Sequence, residues 1–501
     1  MAPVDGTHDL LVVGGGPAGI SAARAACDAG LSVVLVDERP TLGGQIYKQP
    51  GPGFTVPDPS AMDRQYRQGR AVIDSLDGRG VDVRLQTAVV AVEGSTSVLV
   101  TDSRPAATVV TPRTVVAAGA HDRPVAFPGW TLPGVITAGG LQTLAKTQRV
   151  LPGRRLLFAG SGPVALAFPA QLAHYGASIV EALEAGPAPR PGDLLRLARA
   201  ARGNTALLRD AARYRALLLR HQVPLRYGRM IVRAEGDGRV EHVVHAAVDA
   251  DWRIVPGTER GVDVDVLGLG YGFVPSIELL RLLGCGFDHV EDLGGQVVRR
   301  DDWLRTDVEG VYAAGDGAGV EGSYVAIDEG TIAGVAAALD AGVISQARAD
   351  DLTATARTRL ARRRALTAAT TRLYRVGAGL TELATADTIV CRCEVVRRAT
   401  IDAAVDATDD LNVVKAYTRA GMGPCQGKNC QGQIAAMIAR RHGRARALVS
   451  LPTPRMPLRP VPIASMADHR VESPGLFLAD PPADASVRSA TAGPAVDEVA
   501  P

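Results

Sequence analysis

Cys391, Cys393, Cys425 and Cys430 put four of the chain's six cysteines within forty positions, spaced as CxC, thirty-one residues, then Cx4C. In a reducing compartment, thiols this close serve soft metals rather than disulfides. Four thiolates can hold a 2Fe-2S cluster or a zinc ion. Zinc sites favour CxxC knuckles, but the spacing alone does not settle the choice between iron–sulfur and zinc. Residues 431–441 after Cys430, and 400–407 between the pairs, have helical character. A helix beginning at Cys430 predicts lowered thiol pKa values at Cys425 and Cys430, and Lys415, Arg419 and Lys428 add positive potential. Cys27 and Cys285 stand alone and are expected to be small buried hydrophobes.

Far upstream, the apolar run 9–13 enters Gly14-Gly15-Gly16-Pro17-Ala18-Gly19 and then a helical stretch to about Gly30. Strand, glycine turn and helix in this order make a dinucleotide fingerprint. Gly14 serves the tight turn, Gly16 lets backbone approach a pyrophosphate, and Gly19 lets helix and strand pack closely. The next strand, 32–36, ends in Asp37 and Glu38, the expected ribose ligands. A second copy begins at Arg155, with Gly160-Ser161-Gly162-Pro163-Val164-Ala165, a helix to about Tyr175, and a strand 177–183 ending in Glu184. The acidic end favours NAD over NADP, but Glu181 interrupts the strand and makes this the poorer copy. Two uses of this copy stay open: a site for NAD or another adenine nucleotide, or scaffold only.

These motifs need stable domains to position them. The composition, 46% apolar and 22% charged with a formal net charge of +2, is that of an ordinary globular protein with no bulk affinity for nucleic acid. The start of the chain lacks a signal-peptide pattern and no apolar run approaches a membrane span, so a cytoplasmic protein without a transmembrane segment is expected. No CxxC occurs, and no cysteine lies between Cys27 and Cys285. A redox disulfide beside the nucleotide sites is thereby excluded.

Residues 310–316, Gly-Val-Tyr-Ala-Ala-Gly-Asp, resemble the distal motif of the two-dinucleotide-domain flavoproteins. That resemblance implies FAD at the first site, with Asp316 on its ribityl chain, a following helix 322–339 aimed at the flavin, Gly44 and Gln45 in a loop beside it, and Gly119 in the crossover between domains. Residues 391–394 and 418–430, together with 43–47, 127–135 and 270–275, resemble more narrowly the FAD-dependent pyridine nucleotide-disulfide oxidoreductase-like family with a fused ferredoxin-like 2Fe-2S domain. Its members include subunits of hydrogen cyanide synthase, opine oxidases, hydroxyproline dehydrogenases and heteromeric sarcosine oxidase. The resemblance spans about residues 8–465.

The implied fold is α/β: two Rossmann-like dinucleotide-binding domains, one inserted in the other, plus a small helical C-terminal 2Fe-2S domain. The boundaries expected are 8–125 and 262–342 for the flavin domain, 126–261 for the second domain, 343–385 for a helical linker, 386–446 for the cysteine domain, and 447–501 for an extension and disordered tail. The linker's basic run, Arg359 to Arg364, is expected on a solvated helix face, with docking of an acidic partner as the alternative.

The implied function is an electron-transferring flavin/iron–sulfur subunit of a heteromeric amino- or imino-acid dehydrogenase of opine, hydroxyproline, sarcosine or glycine type. A partner flavoprotein resembling D-amino-acid oxidase would oxidise the amine, a small ferredoxin-like subunit could accompany it, and an external acceptor would take the electrons. No catalytic base is identifiable, and His121 and Tyr47 near the flavin loops are expected to be packing residues. Two other readings stay open: a self-sufficient NADH-dependent oxidoreductase using FAD and 2Fe-2S, and a non-catalytic assembly scaffold.

Overall fold

The computed structural model describes residues 8–94, 96–101, 104–202 and 204–467. The apolar run Leu10–Val13 forms a strand (β1), followed by helix Pro17–Asp28 (α1) and strand Val33–Val36 (β2). Strands Asp82–Arg84 (β3) and Thr114–Val116 (β4) follow, then the short Ala120–Asp122 (β5). Here the chain leaves for a second unit: Val135–Thr137 (β6), helix Ala138–Gln142 (α2), Leu156–Gly160 (β7), helix Pro163–His174 (α3), Ile179–Glu184 (β8), Leu225–Tyr227 (β9) and Val266–Gly270 (β10). Phe273–Pro275 (β11) returns antiparallel beside β5, and Val311–Ala313 (β12) completes the first unit.

The result is two five-stranded parallel sheets, ordered β12-β4-β1-β2-β3 and β9-β8-β7-β10-β6. Parallel strands are buried on both faces, and β1, β2, β7 and β10 are accordingly almost unbroken apolar runs. Each sheet carries an antiparallel three-stranded meander, Thr87–Glu93 through Arg104–Val110 in the first unit and Arg229–Glu235 through Arg260–Asp263 in the second. The return to the first unit comes later than the sequence suggests. β10 falls inside the stretch 262–342 assigned to the flavin domain, yet it pairs with β7 and β6 in the second sheet. Its apolar residues suit either sheet, and only strand pairing distinguishes them. Glu181, out of pattern in β8, is accommodated by Arg226 of β9 at 2.7 Å.

Helix Ser323–Asp340 (α4) crosses α1 with Gly330 and Gly334 against the Ala18 and Ala22 carbonyls. The linker is a single helix, Gln346–Leu373 (α5), that lies along α4. Of its basic run, Arg362 stays exposed as a solvated face would have it, while Arg359, Arg363 and Arg364 are drawn into ion pairs. Arg359 reaches Asp328 at 2.7 Å, Arg363 pairs with the same carboxylate, and Arg364 pairs with Glu321 and Glu329. Asp328 and Glu329 are fully buried in α4, so these cations neutralise charges that would otherwise be stranded.

The C-terminal unit is built from helices Arg398–Ala407 (α6), Leu411–Thr418 (α7) and Gln431–Arg441 (α8) with a two-stranded β element at Ile389–Cys391. Its apolar residues, Ile401, Val414, Ile434 and Ile438, share one core with Phe127, Trp130, Met230 and Tyr271 of the inserted unit. The Trp130 indole donates to the Ile389 carbonyl, and Gln433 accepts from the Ala126 amide at 3.0 Å. The extension then runs back to the first unit, where the Leu458 amide donates to Val90. The tail expected to be disordered lies, past residue 467, outside the described residues. Among the described residues no helix is long and apolar enough to cross a membrane.

Candidate functional site

A cavity of about 650 Å³ opens along the carboxyl ends of the first sheet, where α/β folds bind ligands. One wall is the first glycine loop. Gly14 has φ +107°, open to glycine at little cost, and a Cβ on Gly19 would stand 1.8 Å from the Gly14 carbonyl oxygen. Gly16, Pro17 and Ala18 face the cavity, and no side chain caps the N-terminus of α1, so its first amide groups remain available to an anion. Asp37 and Glu38 stand at the cavity's far end. Asp37 accepts from the Gly15 amide at 2.6 Å and the Arg39 amide at 2.7 Å, and burial raises its pKa. Glu38 pairs with Arg459, itself a cavity residue delivered by the C-terminal extension.

The same cavity brings together Gly44, which packs on Gly16, with Gln45, Gly119, His121, Asp122 and Asp316. Asp316 accepts from the Glu321 and Gly322 amides at 3.0 and 2.8 Å, which fixes the loop that feeds α4. Like α1, α4 presents an N-terminus without a side-chain cap beside the cavity. Glu329 holds this loop from behind, accepting from the Gly315 amide at 2.8 Å and pairing with Arg300 at 2.7 Å. Sequence reasoning passed over Glu329 because nothing in its local pattern reveals an acid buried mid-helix.

The second glycine loop is arranged differently. Glu184 is buried and accepts from the Ser161 hydroxyl and the Gly162 amide, both at 2.8 Å, and from the Gly186 amide at 2.7 Å. Burial pushes its pKa up to about 7. Gly160 is enclosed in the sheet, and Tyr374, at the end of α5, lies over the loop: its ring would be 3.1 Å from a Cβ on Gly186 and 3.8 Å from one on Gly162. The linker thus covers the approach to the second fingerprint.

The four cysteines do come together, as two hydrogen-bonded pairs, Cys391 with Cys430 and Cys393 with Cys425. Cys391 and Cys430 are buried, and Cys393 and Cys425 half-buried. Among the described residues no three His, Cys, Asp or Glu side chains converge on one point as a single metal ion requires. The loops that bring the sulfurs together are conformationally unusual, with positive φ at Val395, Arg419 and Gln426. The expected depression of the Cys430 thiol is not what the structure gives. The Cys430 thiol donates to Cys391, which also receives the Gly421, Glu394 and Cys393 amides and falls to about 5, while Cys430 is raised by that same bond. The bond between the two thiols, more than the loop amides, sets this pair's titration. Of the cations expected nearby, Arg419 is engaged by Glu394 at 3.0 Å.

Lys428 belongs to both sites. It lies between Cys425 and Cys430, yet it lines the cavity and faces Glu278 at 3.9 Å. His121 stands beside them with both ring nitrogens buried and unpaired, and burial lowers its pKa. The cysteine loop therefore forms one end of the cavity wall.

The architecture matches known proteins at every level. Residues 8–342 match the pyridine nucleotide-disulphide oxidoreductase family, and residues 388–469 match the sarcosine oxidase A3 domain. The chain is 33% identical to hydrogen cyanide synthase subunit HcnB of Pseudomonas aeruginosa, over 92% of this chain and 99% of that one. It is also 33% identical to an opine oxidase subunit of Rhizobium meliloti, over 92% and 98%. The alpha subunit of sarcosine oxidase from a Corynebacterium is 31% identical over 34% of this chain and 18% of its own. The crystal structure of L-proline dehydrogenase from P. horikoshii shares the fold, with a TM-score of 0.65 at 20% identity, covering 92% of this chain and 80% of that one. By the family match and these relatives, the chain belongs to the FAD-dependent pyridine nucleotide-disulphide oxidoreductase family.

Proposed function

We propose that this chain is the electron-transferring subunit of a heteromeric amino- or imino-acid dehydrogenase in the cytoplasm, with FAD in the 650 Å³ cavity and a 2Fe-2S cluster on Cys391, Cys393, Cys425 and Cys430. The observation that carries this reading is Lys428, which sits in the cysteine loop and on the cavity wall at once. Bound FAD would accept an electron pair and the cluster would carry electrons singly. The α1 amides and Gly16 would hold the pyrophosphate, Asp37 the ribose with Glu38 beside it paired to Arg459, and Asp316 the polyol chain. Gly44, Gln45 and Gly119 would border the flavin ring. The Cys430 thiol and the loop amides on Cys391 favour the ionised form that a metal ligand needs. The relatives' names, subunits of hydrogen cyanide synthase and of opine and sarcosine oxidases, support a partner flavoprotein that oxidises the amine.

The NADH-dependent reading needs nucleotide at Gly160, Gly162 and Glu184, and Tyr374 over that loop weighs against it. Anaerobic mixing of the purified complex with NADH, and separately with opine, hydroxyproline, sarcosine and glycine, tests both. Bleaching of the flavin only by an amino acid, and only with the partner present, supports the relay. Bleaching of the isolated chain by NADH overturns it.

A further inference from the structure

Lys48 belongs to none of the motifs read from the sequence. It is 4% exposed, and its Nζ donates to Gln45 Oε1 at 2.6 Å and Thr143 Oγ1 at 2.8 Å. Both acceptors line the cavity, Gln45 from the first unit and Thr143 from the inserted one. Thr143 opens a π-helical turn, Thr143–Thr147, directly after α2, and its hydroxyl donates to the Gly139 carbonyl at 2.9 Å. The ammonium form has donors only, so in that state its contact also fixes which end of the Gln45 amide faces it. The lysine is thereby pinned just behind the cavity wall, at the seam of the two units.

Three charged groups face it: Arg39 from the loop after β2, Asp122 from β5 and Lys146 from the π-helical turn. Two of these are cations. Asp122 is the one carboxylate of the three, both its oxygens accept from the Gly139 amide at 3.1 Å, and among the described residues it makes no ion pair with Lys48. Burial and Arg39 bring the Lys48 pKa down to about 7. A lysine held so close to neutrality, with neutral partners only, responds to any new negative charge beside it. An opposite charge within several ångströms raises such a pKa by about 1–3 units.

We propose that Lys48 is the proton acceptor coupled to reduction of the flavin held in this cavity, an inference that rests on the flavin reading above. When an electron pair from the amine enters the cavity, the Lys48 amine takes one proton from solvent and becomes an ammonium. When the electrons leave toward the acceptor, the proton is released. Gln45 and Thr143 hold the amine in place through both states.

The test is the flavin midpoint potential of the complete complex between pH 6 and 9 for wild type, Lys48→Met and Lys48→Arg. Above pH 7 the wild-type reduction equilibrium should fall tenfold more per pH unit than that of Lys48→Met, about 30 mV for a two-electron couple. Lys48→Arg keeps the charge without titrating, so it should lose the same tenfold while holding a higher potential than Lys48→Met at pH 9. Should Lys48→Met fail to fold, the wild-type and Lys48→Arg slopes decide alone. Equal slopes overturn the inference. A complex that binds no flavin overturns the flavin reading and the inference with it, whereas bound flavin with parallel lines overturns the inference alone.

Discussion

Gly330→Ala adds one methyl at the crossing of α1 and α4. The new Cβ would stand 2.1 Å from the Ala18 carbonyl oxygen, where contacts under 3.0 Å are essentially never seen. The obstructing atom is backbone, so no rotamer relieves it and the helices must part by about 1 Å. Overpacking of this kind costs about 1–3 kcal/mol, and alanine's helix preference returns about 0.5–1 kcal/mol of it. A net loss of about 1–2 kcal/mol is expected. The displacement also has a direction. Ala18 lies in the first glycine loop and Asp316 holds the loop that feeds α4, so parting the helices widens the cavity that would hold the dinucleotide. Flavin affinity should fall as well, because the cavity no longer closes to the same width. Urea unfolding and equilibrium dialysis against FAD measure the two effects. Gly432→Ala is the control, since a Cβ at that helical position meets nothing within 4 Å, and it should gain about 0.5–1 kcal/mol. If Gly330→Ala unfolds and binds FAD as the control does, the close crossing does not set the cavity.

Glu329→Gln leaves Arg300 buried against a neutral amide and should destabilise the protein by about 3–5 kcal/mol in urea titration. Glu184 has a folded pKa of about 7 against 4.5 in the unfolded chain, so its contribution to stability is full below pH 4.5 and lost as pH rises to 7. That loss amounts to about 3 kcal/mol by linkage, and Glu184→Gln should flatten the wild-type decline measured between pH 5 and 7.5. Tyr374→Ala uncovers the second glycine loop and should give fluorescence-detected NADH binding that the wild type lacks; tight wild-type binding would contradict the covering role.

Much of this molecule was legible in its sequence because local patterns dictate it. Glycine turns between apolar strands and helices announced both fingerprints, and the CxC and Cx4C spacings announced four thiols that come together as two pairs. What escaped were pairings between distant segments. Glu38 reads as a free ribose ligand until Arg459 arrives from the far end of the chain. Arg359, Arg363 and Arg364 of α5 read as surface until α4 supplies two buried carboxylates. Lys48 offers no local signal, because its partners come from two different units. The boundary before β10 failed for a related reason, since a buried apolar strand does not reveal which sheet it joins.

The central claim is that the cysteine loop and the adjoining cavity form one electron path. Iron, labile sulfide and flavin should be measured per chain, with the electron paramagnetic resonance of the complex reduced anaerobically by its amino acid, in wild type and in Cys391→Ser/Cys393→Ser. Two irons, two sulfides and one flavin are predicted in the wild type, with the variant keeping its flavin, losing the signal and failing to pass electrons to an external acceptor. Zinc in place of iron, or a double variant that delivers electrons at the wild-type rate, would contradict it.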